Sequence, residues 1–266
     1  RGADSWPLAS ASGGLPEQYG ILLSRGGDTS AARAAFREVL AAREAVLGEA
    51  DPATLTTRLD LASLERRDGS HEAALEALTQ LRDDVIAAVG KDDALLTDVE
   101  ELRARVLFDL GRTGEARPLA TEVYAARLDA QGENAPLTLD ALNLIGAIDM
   151  RDGDFLAAEE AWIRVLDGYR ALYGVEHLST ITAMANLGLV LENQGLYDRA
   201  EPLLRTAVDT SEKLLGQGHP QTLTSMNNLA LLHESQGRFD RAEPLYKLPL
   251  EVLRSTLGEH HPRSIA

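Results

Sequence analysis

Six histidines and 42 acidic residues in a chain of 266 offer the side chains from which a metal site or an acid–base pair would be made. His260-His261 has the form of a ligand pair, but His177, His219 and His261 stand 42 residues apart. Zinc needs three or four ligands converging on one point. Equal spacing of that length instead puts each histidine at the same station of a repeated structure, beside proline at His219-Pro220 and His261-Pro262. These histidines read as turn residues, and no metal is expected. Adjacent carboxylates such as Asp83-Asp84, Asp92-Asp93 and Glu159-Glu160 raise the question of general acid and base work, which requires a shared pocket. On arginine-rich helices such pairs belong to solvated faces. Neither a G-x-S-x-G elbow nor a G-x-x-x-x-G-K-[ST] phosphate loop occurs. The reading is a chain with no catalytic residue and no cofactor, not an enzyme.

The elements that carry these residues follow from two glycine ladders. Gly48, Gly90, Gly132, Gly174, Gly216 and Gly258 form the first, at a step of 42, and Gly27, Gly69, Gly111, Gly153, Gly195 and Gly237 the second. Gly111-Arg112-Thr113-Gly114 belongs to the second ladder, which makes it a turn and not a phosphate cradle. Two breaks per period, with Ala, Leu, Glu and Arg between them, spell helix, tight turn, helix, longer turn. Nearly every proline is expected near a break or in a first turn. In one first helix Met184, Leu187, Gly188 and Leu191 make an apolar stripe at helical spacing. Its small member recurs as Gly20, Ala62, Ala104, Gly146, Gly188 and Ala230. The second helices repeat a small residue too, as Ala32, Ala74, Ala116, Ala158, Ala200 and Ala242. Four residues later comes a mostly larger one: Phe36, Leu78, Ala120, Trp162, Leu204 or Tyr246. One such pair cannot bury its apolar face alone, so the units must stack.

Composition narrows the function classes. A hydrophobic share of 44% with 26% charged residues is that of a folded protein, and no apolar run approaches the roughly 18 residues of a membrane span. No cysteine is present, which removes disulfide and thiolate chemistry while fitting either redox setting. A net charge of −16, spread over both halves, opposes a nucleic-acid backbone and suits a partner with basic character.

The stretches from His177 to Gly218 and from His219 to His260 resemble the extended tetratricopeptide repeats of kinesin light chains and of bacterial regulatory or scaffold proteins. The text "ANLGLVLENQGLYDRAEPLL" and its echo "NNLALLHESQGRFDRAEPLY" carry the likeness, with small residues, glycines and the His-Pro turn in register. The resemblance implies an all-α, right-handed solenoid of about six helix pairs, at 13–47, 48–89, 90–131, 132–173, 174–215 and 216–257. Residues 1–12 read as a leader or the remnant of an upstream unit, and residues 258–266 as the start of a further repeat. The chain is expected to be a fragment truncated at both ends. Within it, Glu100 and Arg103 replace Met184 and Leu187 of the stripe, so residues 90–131 are the expected weak point. Pro249 is expected to kink the last helix or end it early.

The resemblance also implies function. The first helices line a concave surface on which the family binds extended or short helical peptides. Away from the packing stripe these helices carry Thr182, Asn186, Leu189 and Asn193, then Thr224, Asn228, Leu231 and Ser235. The candidate peptide-binding residues are Asn186, Asn228, Leu189, Leu231, Asn193, Asn143, Arg105 and Arg151. Asn186 and Asn228 either hold a peptide backbone, since an amide both donates and accepts, or brace the neighbouring helix. Chaperone-binding relatives grip a terminal carboxylate with basic residues, and Thr182, Thr224 and Asp140 stand where a lysine would be needed. Expected partners are a protein or peptide, with no nucleic acid and no membrane span, in a cytoplasmic setting. The alternative is a sensor or regulatory part of a larger signalling enzyme, such as a Ser/Thr kinase or signalling ATPase. With lysine confined to Lys91, Lys213 and Lys247, the composition fits a GC-rich bacterial source.

Overall fold

The computed structural model describes Ile21 and residues 29–257. The expected leader, the first helix of the 13–47 unit apart from Ile21, and the start of a repeat at 258–266 lie outside the described residues. Eleven full helices and no strand occur among them. They are α1 (Thr29–Leu47), α2 (Pro52–Arg67), α3 (His71–Val89), α4 (Ala94–Asp109), α5 (Thr113–Gln131), α6 (Pro136–Asp152), α7 (Phe155–Tyr173), α8 (Leu178–Asn193), α9 (Tyr197–Leu215), α10 (Pro220–Ser235) and α11 (Phe239–Leu257). Two compact units divide the chain between Ala126 and Arg127, inside α5. Helices α1 to α4 in the first and α6 to α11 in the second pack on their neighbours in chain order, as the 42-residue period requires.

Both glycine ladders act as helix stops. Gly153, at φ 83° and ψ 9°, turns the chain out of α6 in a left-handed conformation that a side chain would strain, and Asp154 N–H then returns to the Asp149 carbonyl at 2.9 Å. Starts are capped by side chains. Asp51 accepts from Ala53 N–H at 2.9 Å and Asp93 from Leu95 N–H at 2.8 Å. The histidines do the same work: His177 Nδ1 accepts from Ser179 N–H and His219 Nδ1 from Gln221 N–H, each at 3.2 Å.

Between the two helices of a unit, size is matched across the small-residue ladder. Gly146 faces Trp162, and a Cβ added there would lie 2.9 Å from the indole nitrogen. Gly188 faces Leu204, with 2.5 Å to its Cγ. In unit one the register pair Ala104 and Ala120 is small on both sides and fully buried. The same unit has Leu55, Leu78, Leu81, Val85, Val99 and Val106 in one core. The two departures from the stripe are paired: Glu100 accepts from Arg82 Nε at 2.7 Å and from Arg103 Nη1 at 2.6 Å.

Prolines depart from the expectation. Pro118, Pro202 and Pro244 each occupy the sixth residue of a second helix, beyond the first turn. All three are exposed, so the carbonyl left without an N–H partner can be hydrated, which lessens the cost of the break. Pro249 does not end its helix early, because α11 runs on to Leu257 with the same 19 residues as α9. Its counterpart, Ala207, is fully buried and donates its own N–H within the helix. Pro249→Ala should therefore raise the melting temperature, by the equivalent of up to about 3 kcal/mol. A lower value would show that α11 is shaped around the proline.

Candidate peptide-binding face

The first helices of the second unit, α6, α8 and α10, bring seven of the eight candidate residues together on one unit. Arg105 belongs to the other unit, where its guanidinium donates twice to Glu101 Oε1, at 3.0 and 2.7 Å. Of the seven, Arg151 is exposed near the end of α6.

The two asparagines at the same register differ in what they meet. Asn186 Nδ2 donates to Asn143 Oδ1 at 3.1 Å, and Trp162 Nε1 donates to that same oxygen at 3.0 Å. Asn143 is thus the acceptor that ties α6, α7 and α8 together. Forty-three residues before Asn228, where Asn143 stands relative to Asn186, is Ala185, which has no oxygen to offer. Asn228 is half-buried and its amide makes no hydrogen bond among the described residues. Beside it on α10, Leu231 is 37% exposed, and on α8 Leu189 is half-buried. Asn193 donates to the Leu189 carbonyl at 2.9 Å and to Glu192 Oε2 at 3.2 Å. Ser235 closes this edge by donating to Glu192 Oε1 at 2.5 Å. The face of α8 and α10 therefore offers one amide without a partner among the described residues, with Leu231 on the same helix, Leu189 on the neighbouring one and Glu192 at the edge, while Asp140 on α6 accepts from Tyr169.

Sequence reasoning missed two groups. By its spacing Trp162 is a packing residue only, yet its N–H donates to Asn143. The acceptors Glu159 and Glu201, 42 residues apart, tie each second helix to the next unit: Arg199 of α9 reaches Glu159 at 2.7 Å, and Arg238, just before α11, reaches Glu201 at 3.0 Å. Burial raises the Glu159 carboxyl, but hydrogen bonds from Gln194 and Arg199 outweigh it and leave the pKa below its ordinary 4.5. For Glu201, too, burial is outweighed, there by Arg205, Arg238 and His233, and its value is also lowered. A depressed carboxyl contributes stability above its unfolded pKa and loses it as the pH falls through the folded value. Thermal melts should therefore show stability declining below pH 4.5, and Glu159→Gln with Glu201→Gln should flatten that decline. An equally steep decline in the double variant would place the acid sensitivity elsewhere.

Among the described residues, no group of three or more His, Asp or Glu side chains could hold a metal ion, and no helix is long and apolar enough to cross a membrane. The stacked helix pairs match a family model described as tetratricopeptide repeat over residues 14–83, 138–213 and 180–255, and a second of the same description over 101–122. The chain belongs to the tetratricopeptide repeat family. Its fold class is all-α, a solenoid of about six such units. Among solved structures, the tetratricopeptide chain is similar to BtubC (BKLC) from P. vanneervenii, at 20% identity over 89% of this chain and 92% of that one, with a TM-score of 0.66. It is similar to the nearly identical TPR-like repeats of a Podosopora anserina kinesin light chain, at 21% identity, 77% and 98% coverage and a TM-score of 0.63. A signal transduction ATPase with a tetratricopeptide repeat sensor, from Pyrococcus horikoshii, matches at 15% identity and a TM-score of 0.68, over 94% of this chain and 36% of that one. At such identities the likeness is one of tetratricopeptide fold. No curated protein sequence matches the chain.

Proposed function

We propose that this tetratricopeptide array is a binding scaffold that acts by contact, and that the face of α8 and α10 takes an extended peptide. The observation that supports this reading is Asn228, an amide without a partner among the described residues, on the same helix as the exposed Leu231 and on the helix next to that of Leu189. An amide can accept from one peptide N–H and donate to the next carbonyl, while the leucines cover an apolar side chain. Glu192 at the edge of this face, with a net charge of −16 on the whole chain, favours a peptide carrying lysine or arginine. A second reading, a sensor part of a larger signalling protein, draws on the likeness to the Pyrococcus horikoshii ATPase, whose tetratricopeptide part is described as a sensor. Both readings use the same contact surface.

The test is selection of a random-peptide phage library on the intact chain, followed by affinity measurement of the enriched peptides. Leu189→Asp with Leu231→Asp should weaken them at least about tenfold, equivalent to about 1.4 kcal/mol, with helicity unchanged. Enriched peptides that bind the variant equally well would move the binding surface away from α8 and α10.

A further inference from the structure

Glu192 is a carboxylate held between α8 and α10 by neutral groups alone. Its Oε1 accepts from Ser235 Oγ of α10 at 2.5 Å, and its Oε2 from Asn193 Nδ2 at 3.2 Å. Among the described residues no lysine or arginine reaches it. Glu159 and Glu201, also held between units, are instead met by Arg199 and Arg238. An ionised carboxylate has about four acceptor sites, so two hydrogen bonds leave Glu192 able to accept again. The half-buried charge is fixed across the two helices and suits a cation that the described chain does not supply. At the same place on α6 stands Met150, so the charge is particular to this pair of helices.

The apolar residues of the face lie about one turn away. Leu189 precedes Glu192 by three residues on α8, and Leu231 precedes Ser235 by four on α10, spacings that keep each pair on one side of its helix. Four helical residues rise about 6 Å. Alternate side chains of an extended peptide point the same way and stand about 6.6 Å apart, whereas adjacent ones point to opposite sides. A helical ligand reaches a similar span at a spacing of four, but it uses its own backbone groups internally and leaves the Asn228 amide unmet.

We propose that the face of α8 and α10 selects an extended peptide in which an apolar residue and a lysine or arginine stand two positions apart. The apolar side chain covers Leu189 and Leu231, and the cation pairs with Glu192. This rests on the peptide-binding reading of the face and adds to it the motif and the residue that reads the charge.

Peptides selected on the intact chain that depend on Leu189 and Leu231 should align on an apolar residue with lysine or arginine two positions away. Moving the basic residue by one position, or replacing it with glutamine, should weaken binding at least about tenfold. Glu192→Gln keeps an oxygen for Ser235 and removes the charge. It should cost the same peptides a similar factor, leave the melting temperature unchanged and flatten the salt dependence of binding. Selection on Glu192→Lys should turn to aspartate or glutamate at the basic position. Leucine-dependent peptides without a basic residue at that spacing, or with full affinity for Glu192→Gln, would overturn this inference and leave the peptide face standing. Absence of any leucine-dependent peptide would overturn both.

Discussion

Trp162→Ala is expected to lower the stability of the second unit by about 3–5 kcal/mol, the range for removing a large buried aromatic side chain. The indole is 3% exposed and fills the space left by Gly146, so its loss opens a cavity that one glycine opposite cannot close. It also strips Asn143 of one of two donors, leaving Asn186 alone on that oxygen. Trp162→Phe keeps most of the volume and loses the N–H, so its cost should be a fraction of the alanine cost. Urea unfolding followed by circular dichroism measures both. Because stability in a stacked array divides among neighbouring units, the loss should appear as an earlier transition of part of the helical signal. A cost below about 1 kcal/mol for the alanine variant would mean that Trp162 does not lock α6, α7 and α8 together.

The second large effect concerns the size match at Gly188 and Leu204. Gly188→Ala places a Cβ about as far from Leu204 Cγ as the 2.5 Å of an ideal build, so one of the two helices must move. Overpacking of this sort costs about 1–3 kcal/mol, against a gain of about 1 from alanine's better helix propensity. Leu204→Ala, at a side chain with no exposure, should cost about 2–5 kcal/mol. The two changes together recreate the Ala104 and Ala120 combination that the chain itself uses in its first unit. The double variant should therefore be more stable than the sum of the single effects by at least about 1 kcal/mol. Strict additivity would show that the matched sizes along the ladder are coincidental.

That ladder explains why the fold was legible in the sequence. Gly153 must be glycine because its φ is 83°, and the same demand recurs at a fixed step, so the breaks and the helices between them could be read directly. Charged departures were legible as positions but not as pairs: nothing local to Glu100 announces Arg82, 18 residues earlier, as its partner. The candidate face was legible only in part for a similar reason. Asn186 and Asn228 occupy one register and look equivalent, yet whether each is a brace depends on the residue 43 positions earlier. Asn143 and Ala185 give opposite answers. Prolines misled because a helix interior tolerates them where the orphaned carbonyl reaches water, as at Pro202, and exposure is not written in the spacing.

Asn228 is where the scaffold reading and the packing reading part most sharply. The decisive measurement is the affinity of the selected peptides for Asn228→Ala, taken with its melting temperature. A contact amide that loses its peptide partner should weaken binding at least about tenfold, since a polar group left unpaired costs about 1–3 kcal/mol, while the melting temperature stays as it was. Intact affinity together with a lowered melting temperature would contradict the account and make Asn228 a brace like Asn186.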